Sequence, residues 1–431
     1  MKKIVRRAFL KSALIVCAIL LCILTASIIR LTLFDGIESV QPAASIENPI
    51  ENPIEDSIED SIKDSMQDSM KDASQSRQHT DLPEPGNSSQ NNHLSNSSQD
   101  SSLPASSDFG AARSDPAKTK TTLLFAGDIY FSDYVLAAYG QSGIQGVIGT
   151  SLLKQMKNAD LTIANNEFPF STRGAQAPDK QFTFRIDPAC VSLLTESGID
   201  LVTLANNHVL DYGTEALADT FQTLDDAGIA YMGAGKTVKR AEKLILKKAG
   251  GRTFGFLAAS RVFPVASWNV ENQAPGVLSA YDPTRLLAAV SKARDRCDYL
   301  CVYVHWGIER NTTPEPYQTE LAHALIDAGA DAVIGAHPHV LQGVELYQGK
   351  PIFYSLGNFI FYQSIPQTAV AKLTIGSDDA VRWQLLPARA DNACTSLVTE
   401  KTARQQFYEA MDALSVNVRF SKHGTITQII P

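Results

Sequence analysis

Residues 201–213 read LVTLANNHVLDYG. Leu201, Val202 and Leu204 form an apolar run of strand type. It stops at Asn206-Asn207-His208, and Asp211 follows three residues later. Amide, imidazole and carboxylate groups at the end of a buried strand point to the carboxyl edge of an α/β sheet, where functional crevices open.

Working outward, the same grammar recurs. TTLLFAGDIYF, ADLTIANNEF, RTFGFLAAS, CDYLCVYVHWG, ADAVIGAHPHV and KPIFYSLGNFIF are short, nearly continuous apolar runs, the pattern of strands covered on both faces. Asp187-Pro188 and Asp282-Pro283 each place a capping carboxylate before a proline at a helix start. LLTESGID, LDDAGIA and LIDAGAD each end a helix at glycine and lead into a strand. Strand, helix, glycine, strand predicts an α/β domain.

The polar residues fall at the strand ends. Asp128 closes the first strand, Asn165 and Glu167 the second, Asn206, Asn207 and His208 the third, His305 a later one, and His337 and His339 another. Each alone is more often a cap or hydrogen-bonding residue; together they predict one shared rim. Carboxylates, an amide and imidazoles without cysteine suit one or two divalent ions such as Mn, Fe or Zn. A carboxylate can bridge two ions, and an imidazole beside them can handle a proton. Trp306, Glu309 and Asn358 follow strand ends and could contact substrate, although Trp306 could equally pack and Asn358 could belong to a turn. No glycine-rich loop has the Walker spacing, and no serine elbow supports a serine nucleophile.

The rest of the chain divides by charge. Residues 1–34 carry six basic and no acidic groups, residues 35–117 four basic and sixteen acidic, and residues 118–431 twenty-eight basic and thirty acidic. A near-neutral folded part argues against a nucleic-acid binder. Five basic residues precede the uncharged run at 12–29, about the length of a membrane-crossing helix. This predicts an uncleaved single-pass anchor in the cell membrane with the C-terminal part extracytoplasmic; RRAFLK within it could also read as a twin-arginine export signal. Residues 35–117, with a four-residue Ile/Met repeat and then Ser/Asn/Gln-rich sequence, predict a disordered stalk. Cys190, Cys297, Cys301 and Cys394 read as small buried hydrophobes, with Cys297 and Cys301 on one strand face. The segment 236–252 sets seven basic residues against Glu242. A solvated face explains it, as would contact with a polyanion.

GDIYFSDY, ANNEFPFS, VTLANNHVLDYG, VHWGIER, GAHPHVLQGVE and FYSLGNFIF together resemble the successive motifs of the CapA family of poly-γ-glutamate capsule biosynthesis proteins. That family is related to calcineurin-like metallophosphoesterases. The resemblance implies an αββα sandwich of two mixed sheets over residues 118–385, with 386–431 packing on it. It implies metal ligation by Asp128, Glu167 (bridging), Asn207, His305, His337 and His339. It gives His208 an acid or charge-stabilising role, its ring oriented by Asp211 or a neighbour; beside these, the residues themselves place Asn165, Asn206, Trp306, Glu309 and Asn358 toward substrate. It further implies an anionic envelope polymer and membrane-embedded synthase or export subunits as partners. Where the wider superfamily has Asp-x-His, this chain has Asp128-Ile129-Tyr130, which leaves the first metal shell short of one histidine. The implied activity is metal-assisted hydrolysis or transfer; a non-catalytic polymer scaffold, or a muropeptide amidase or phosphodiesterase, are the alternatives.

Overall fold

Strand parity along β1 (Thr121–Ile129) sets the architecture of the computed structural model, which describes residues 118–429. Leu123 and Phe125 belong to one apolar cluster and Leu124 and Ala126 to another, so β1 is covered on both faces. Its parallel neighbours follow in order: β2 (Leu161–Asn166), β3 (Leu201–Thr203) and β4 (Ala230–Met232). Beyond the short β5 (Ala234–Gly235), the hairpin of β6 (Ile245–Ala249) and β7 (Arg252–Ser260) starts a second sheet. β8 (Gly276–Val277) pairs back to β5, while β9 (Tyr299–His305) and β10 (Ala332–Ala336) continue the second sheet in parallel. β11 (Val344–Tyr347) and β12 (Lys350–Phe353) close its edge.

The chain then returns to the first sheet. β13 (Asn358–Ile360) lies parallel to β1, and β14 (Ile365–Ile375), β15 (Val381–Asp391) and β16 (Cys394–Leu397) add antiparallel strands. β17 (Val418–Phe420) and β18 (Ile426–Gln428) form a small hairpin. Both large sheets are therefore mixed, with strand orders β16-β15-β14-β1-β2-β3-β4 and β11-β12-β10-β9-β7-β6. KPIFYSLGNFIF, expected as one strand, is two strands in different sheets. The switch occurs before Gly357, whose φ of 66° suits glycine.

The sheets pack face to face. Phe125, Ile163 and Leu201 of the first meet Phe256, Tyr303, Ile334 and Phe353 of the second in one cluster. Each such large side chain contributes about 1.5–3 kcal/mol on burial. On the outer face of the first sheet, helices Thr150–Asn158 and Gly213–Asp226 add Leu152, Met156, Leu217 and Phe221. On the outer face of the second, helices Thr284–Arg294 and Pro316–Asp327 add Leu286, Val290, Leu321 and Leu325. The layers run helix, sheet, sheet, helix.

The glycine stops behave as read: Gly198, Gly228 and Gly329 all have positive φ after their helices. Two expectations change. The boundary expected at residue 385 falls inside β15, and Phe407, Tyr408 and Met411 of helix Lys401–Leu414 join the inter-sheet cluster, so the C-terminal residues complete the core. Cys297 precedes β9 and packs with the outer cluster while Cys301 faces the inner one, so they do not share a strand face. The expected membrane helix, export signal and stalk lie outside the described residues. Among the described residues no helix is long and apolar enough to cross a membrane.

Candidate metal centre

Inward-facing strand positions carry the polar groups to one place. Along β2, Leu161 and Ile163 face the inter-sheet core, and the same parity brings Asn165 and then Glu167 to that side. Along β9, Cys301 and Tyr303 face inward, so His305 does too. β1 needs a correction of parity. Ala126 and Ile129 both face the helical side, and the register shifts between Phe125 and Ile129, which re-aims Asp128 inward. After β10 the backbone turns through His337 (φ 99°) and His339 (φ 58°), conformations uncommon for non-glycine residues and concentrated at functional sites.

Two groups result, each with its ligand-type atoms within 4.8 Å of one another: Asp128, Glu167 and His305, and Glu167, His337 and His339. Glu167 belongs to both, as a bridging carboxylate must. His305 Nε2 lies 3.3 Å from Glu167 Oε1 and 2.9 Å from Asn207 Oδ1. His339 Nδ1 lies 3.5 Å from Asp128 Oδ2 and 2.8 Å from Asn358 Oδ1. Asn165 Nδ2 donates to Asp128 Oδ1 at 2.8 Å, and Asn206 Nδ2 donates to Asn165 Oδ1 at 3.1 Å. Asn206 and Asn165 therefore hold Asp128 in place from behind.

The donor set fits a divalent ion. Glu167 is fully buried, yet neither carboxylate oxygen has a hydrogen-bond donor; the His305 approach at 3.3 Å lacks bonding geometry. His337 Nδ1 is also buried without a partner. Buried polar atoms are normally satisfied, so three orphans on two residues of one such group suit a cation there. Burial, then the charge of Asp128, pushes the Glu167 carboxyl well above its usual range. Burial holds His305 and His337 well below the ordinary imidazole value, so both are neutral, the ligating form. Burial works against charge on His339 too, but Glu167 and then Asp128 outweigh it and lift this imidazole to about 10.

His208 stands beside this cluster with a separate support. Its Nδ1 is 2.7 Å from Asp211 Oδ2, and Asn206 Oδ1 accepts from its backbone N–H at 3.0 Å. The ring stacks on Phe184 with centroids 4.1 Å apart, and Phe184 stacks in turn on Tyr130 at 3.9 Å. Burial brings the imidazole down to about 4, with Asp211 opposing and Lys180 assisting. His208 is thus neutral near pH 7.

Lys180 was not legible in the sequence. Its Nζ bonds Asp211 Oδ1 and the Asn207 carbonyl and lies 2.9 Å from His208 Nδ1. It comes from the loop between Phe170 and Ile186, whose ends pair in a β-bridge. Nothing in PDKQF marks this lysine; only the fold brings it to the third strand end. Phe184 arrives on the same loop, its N–H donating to Asp211 Oδ2 at 2.7 Å. Tyr130 joins the aromatic wall, and burial lifts its hydroxyl to about 12.

Glu309 is exposed on the loop after His305 and close enough to raise the carboxyl of Glu167. Trp306 does not join the site. It has the outward parity of Val302 and Val304, is fully buried in the outer cluster and donates its indole N–H to the Tyr354 carbonyl at 2.9 Å. The expected substrate contact is replaced by core packing.

The family model described as bacterial capsule synthesis protein PGA_cap matches residues 122–363. The chain is 31% identical over 302 residues to the capsule biosynthesis protein CapA of Bacillus anthracis, covering 68% of this chain and 73% of that protein. It is 30% identical over 307 residues to the PGA biosynthesis protein CapA of Bacillus subtilis strain 168, covering 69% and 80%. A probable polyglutamine synthesis accessory protein of Mycobacterium tuberculosis CDC 1551 is 33% identical over 250 residues, covering 53% of this chain and 66% of that protein.

Proposed function

The chain belongs to the bacterial capsule synthesis protein family, and from that premise we propose that it handles an anionic envelope polymer, poly-γ-glutamate, at a metal-dependent hydrolase or transferase site. The reading extends to a metallophosphoesterase-like form of the helix–sheet–sheet–helix fold, held outside the cell membrane by residues 1–34 and working beside polymer synthase or export subunits. The observation that carries it is Glu167, fully buried, without a donor on either oxygen and shared by two potential ligand sets.

A divalent ion held by Asp128, Glu167, Asn207, His305, His337 and His339 would supply Lewis-acid activation of a phosphoester or amide-type carbonyl. The chain's own residues do the rest. Asp211 and Lys180 both address Nδ1 of His208, and Phe184 fixes the plane of its ring. With Nδ1–H donating a hydrogen bond to Asp211, Nε2 is an acceptor; with Lys180 donating to an unprotonated Nδ1, Nε2 carries the proton and donates. Either form presents one hydrogen-bonding nitrogen to a reacting oxygen without charging a buried ring.

Tyr130 at the position of the superfamily histidine favours one tight and one weak ion, and it is also the feature that supports a non-catalytic polymer scaffold. Elemental analysis of the purified full chain separates the readings. One or two equivalents of transition metal, lost in His337→Ala and kept in His208→Ala, are expected. No metal in the wild type after Mn or Zn is supplied overturns the metal-dependent reading.

A further inference from the structure

A cleft of about 610 Å³ opens in a different layer, on the helical side of the second sheet, and shares no residue with the metal centre. One wall is helix Thr284–Arg294 and the residues just after it. Arg285, Ala289, Lys292 and Arg296 repeat at four, three and four residues and so line one helix face, where the small Ala288 and Ala289 keep the floor open. The other wall is helix Val238–Ala241 and its continuation, carrying Lys239, Glu242 and Lys243.

The charges in this cleft are not balanced. Its acids are already engaged: Arg285 pairs with both Glu242 and Glu271 at 3.2 Å, and Asp282 accepts from Thr284. Lys239, Lys243, Lys292 and Arg296 also line it, all exposed, and none has an ion pair among the described residues. Arg294, one residue from this face, is turned away to Asp331. Five cations thus face three carboxylates across the cleft, a net charge of +2, with two of the acids held by Arg285 and the four other cations unpaired among the described residues.

We infer that this cleft is a second binding site for a flexible polycarboxylate, holding a stretch of anionic chain apart from the metal centre. The choice of ligand follows from the side chains. Lysine is a compact charge on a flexible stem, suited to separate carboxylates along a mobile chain, whereas planar bidentate recognition calls for arginine forks. No aromatic ring lines the cleft to stack a base, and the near-neutral charge of residues 118–431 gives no general attraction for nucleic acid. Contacts of this kind are screened over about 8 Å at physiological salt, so binding falls as salt rises. The inference rests on the polymer reading above but on different residues.

The test is fluorescence anisotropy of a labelled γ-linked polyglutamate on the full chain, with inorganic polyphosphate as competitor. Lys239→Glu/Lys243→Glu/Lys292→Glu is expected to bind about tenfold or more weakly than wild type. The corresponding triple change to Arg keeps the charge and is expected to retain binding, which separates lost charge from lost folding. Charge reversal at Lys154 and Lys157, exposed on helix Thr150–Asn158 and outside the cleft, is expected to leave binding as in the wild type. If the triple Glu variant binds like wild type while His337→Ala loses the polymer, the cleft inference is overturned and the metal-site reading stands. If polyphosphate binds the cleft and polyglutamate does not, the assigned ligand class is overturned.

Discussion

A Cβ placed on Gly127 would stand 1.8 Å from the carbonyl oxygen of Gly357. That carbonyl accepts the N–H of Asp128 at 2.9 Å, so the crossing of β13 onto β1 and the aim of Asp128 depend on one close backbone approach. The pair ties the switch between sheets directly to the ligand cluster.

Gly127→Ala is therefore expected to damage the metal centre as well as the fold. Overpacking of this kind costs about 1–3 kcal/mol. Thermal unfolding should fall by several degrees, and elemental analysis should show less bound metal than in a surface control of equal stability. Full metal content would show that Asp128 does not depend on this contact.

Metal uptake should compete with protons. The charge of Glu167, with Asp128, lifts His339 to about 10, and burial pushes the Glu167 carboxyl well up, so in the ion-free site this pair holds at least one proton. A divalent ion needs them deprotonated. Affinity is thus expected to fall as pH falls below about 10, with net proton release on binding. Calorimetry in two buffers of different ionisation enthalpy reads that release directly, and identical heats in both would reject it. Chelation should lower the unfolding free energy by the mass-action amount, about 2.7 kcal/mol when free metal stands at a hundred times its dissociation constant.

The clustering of these residues was legible because apolar strands that end in Asp, Glu, Asn and His leave few bland explanations once five of them share a domain. Trp306 was also open to a correct reading, since it shares parity with Val302 and Val304 and so belongs with the outward core. Other features had no sequence signal. The shift in β1 that turns Asp128 inward depends on neighbouring strands, and the switch at Tyr354–Gly357 interrupts what looks like one apolar run. Lys180 lies far from the His208 turn in sequence and is placed there by loop closure alone.

Lys180→Met tests whether that lysine sets the state of His208. Burial and Lys180 both hold the imidazole low, at about 4, so removing the ammonium should move its titration upward. Asp211 keeps its bonds to His208 and the Phe184 N–H, and the lost bond at a buried carboxylate is expected to destabilise the chain by about 1–3 kcal/mol. Metal content should not change. Side-chain NMR of His208 decides the matter, and an unmoved titration would show that Lys180 serves packing only.

A last prediction concerns the corner where the two sheets meet at their far end. The guanidinium of Arg252, at the start of β7 in the second sheet, is almost fully buried. It donates to the carbonyls of Thr119 and Gly376 and to Asp379 Oδ1, linking β7 to the β14–β15 turn of the first sheet. Arg252→Met removes these charge-assisted bonds, although the Thr121 hydroxyl still donates to the Thr119 carbonyl and the Asp379 N–H to that of Gly376, and it is expected to destabilise by about 1.5–3 kcal/mol. Asp379 is exposed, and the hydrogen bonds from Lys118 and then Arg252 hold its carboxyl below the usual range. A carboxyl depressed in the folded state contributes stability above its unfolded pKa and loses it as pH falls through the folded one. The wild type should therefore lose a small, salt-sensitive increment below the ordinary carboxylate range that Asp379→Asn lacks. Parallel acid-unfolding curves for wild type and Asp379→Asn would show that the pair contributes no such increment and that Arg252 acts through the carbonyls alone.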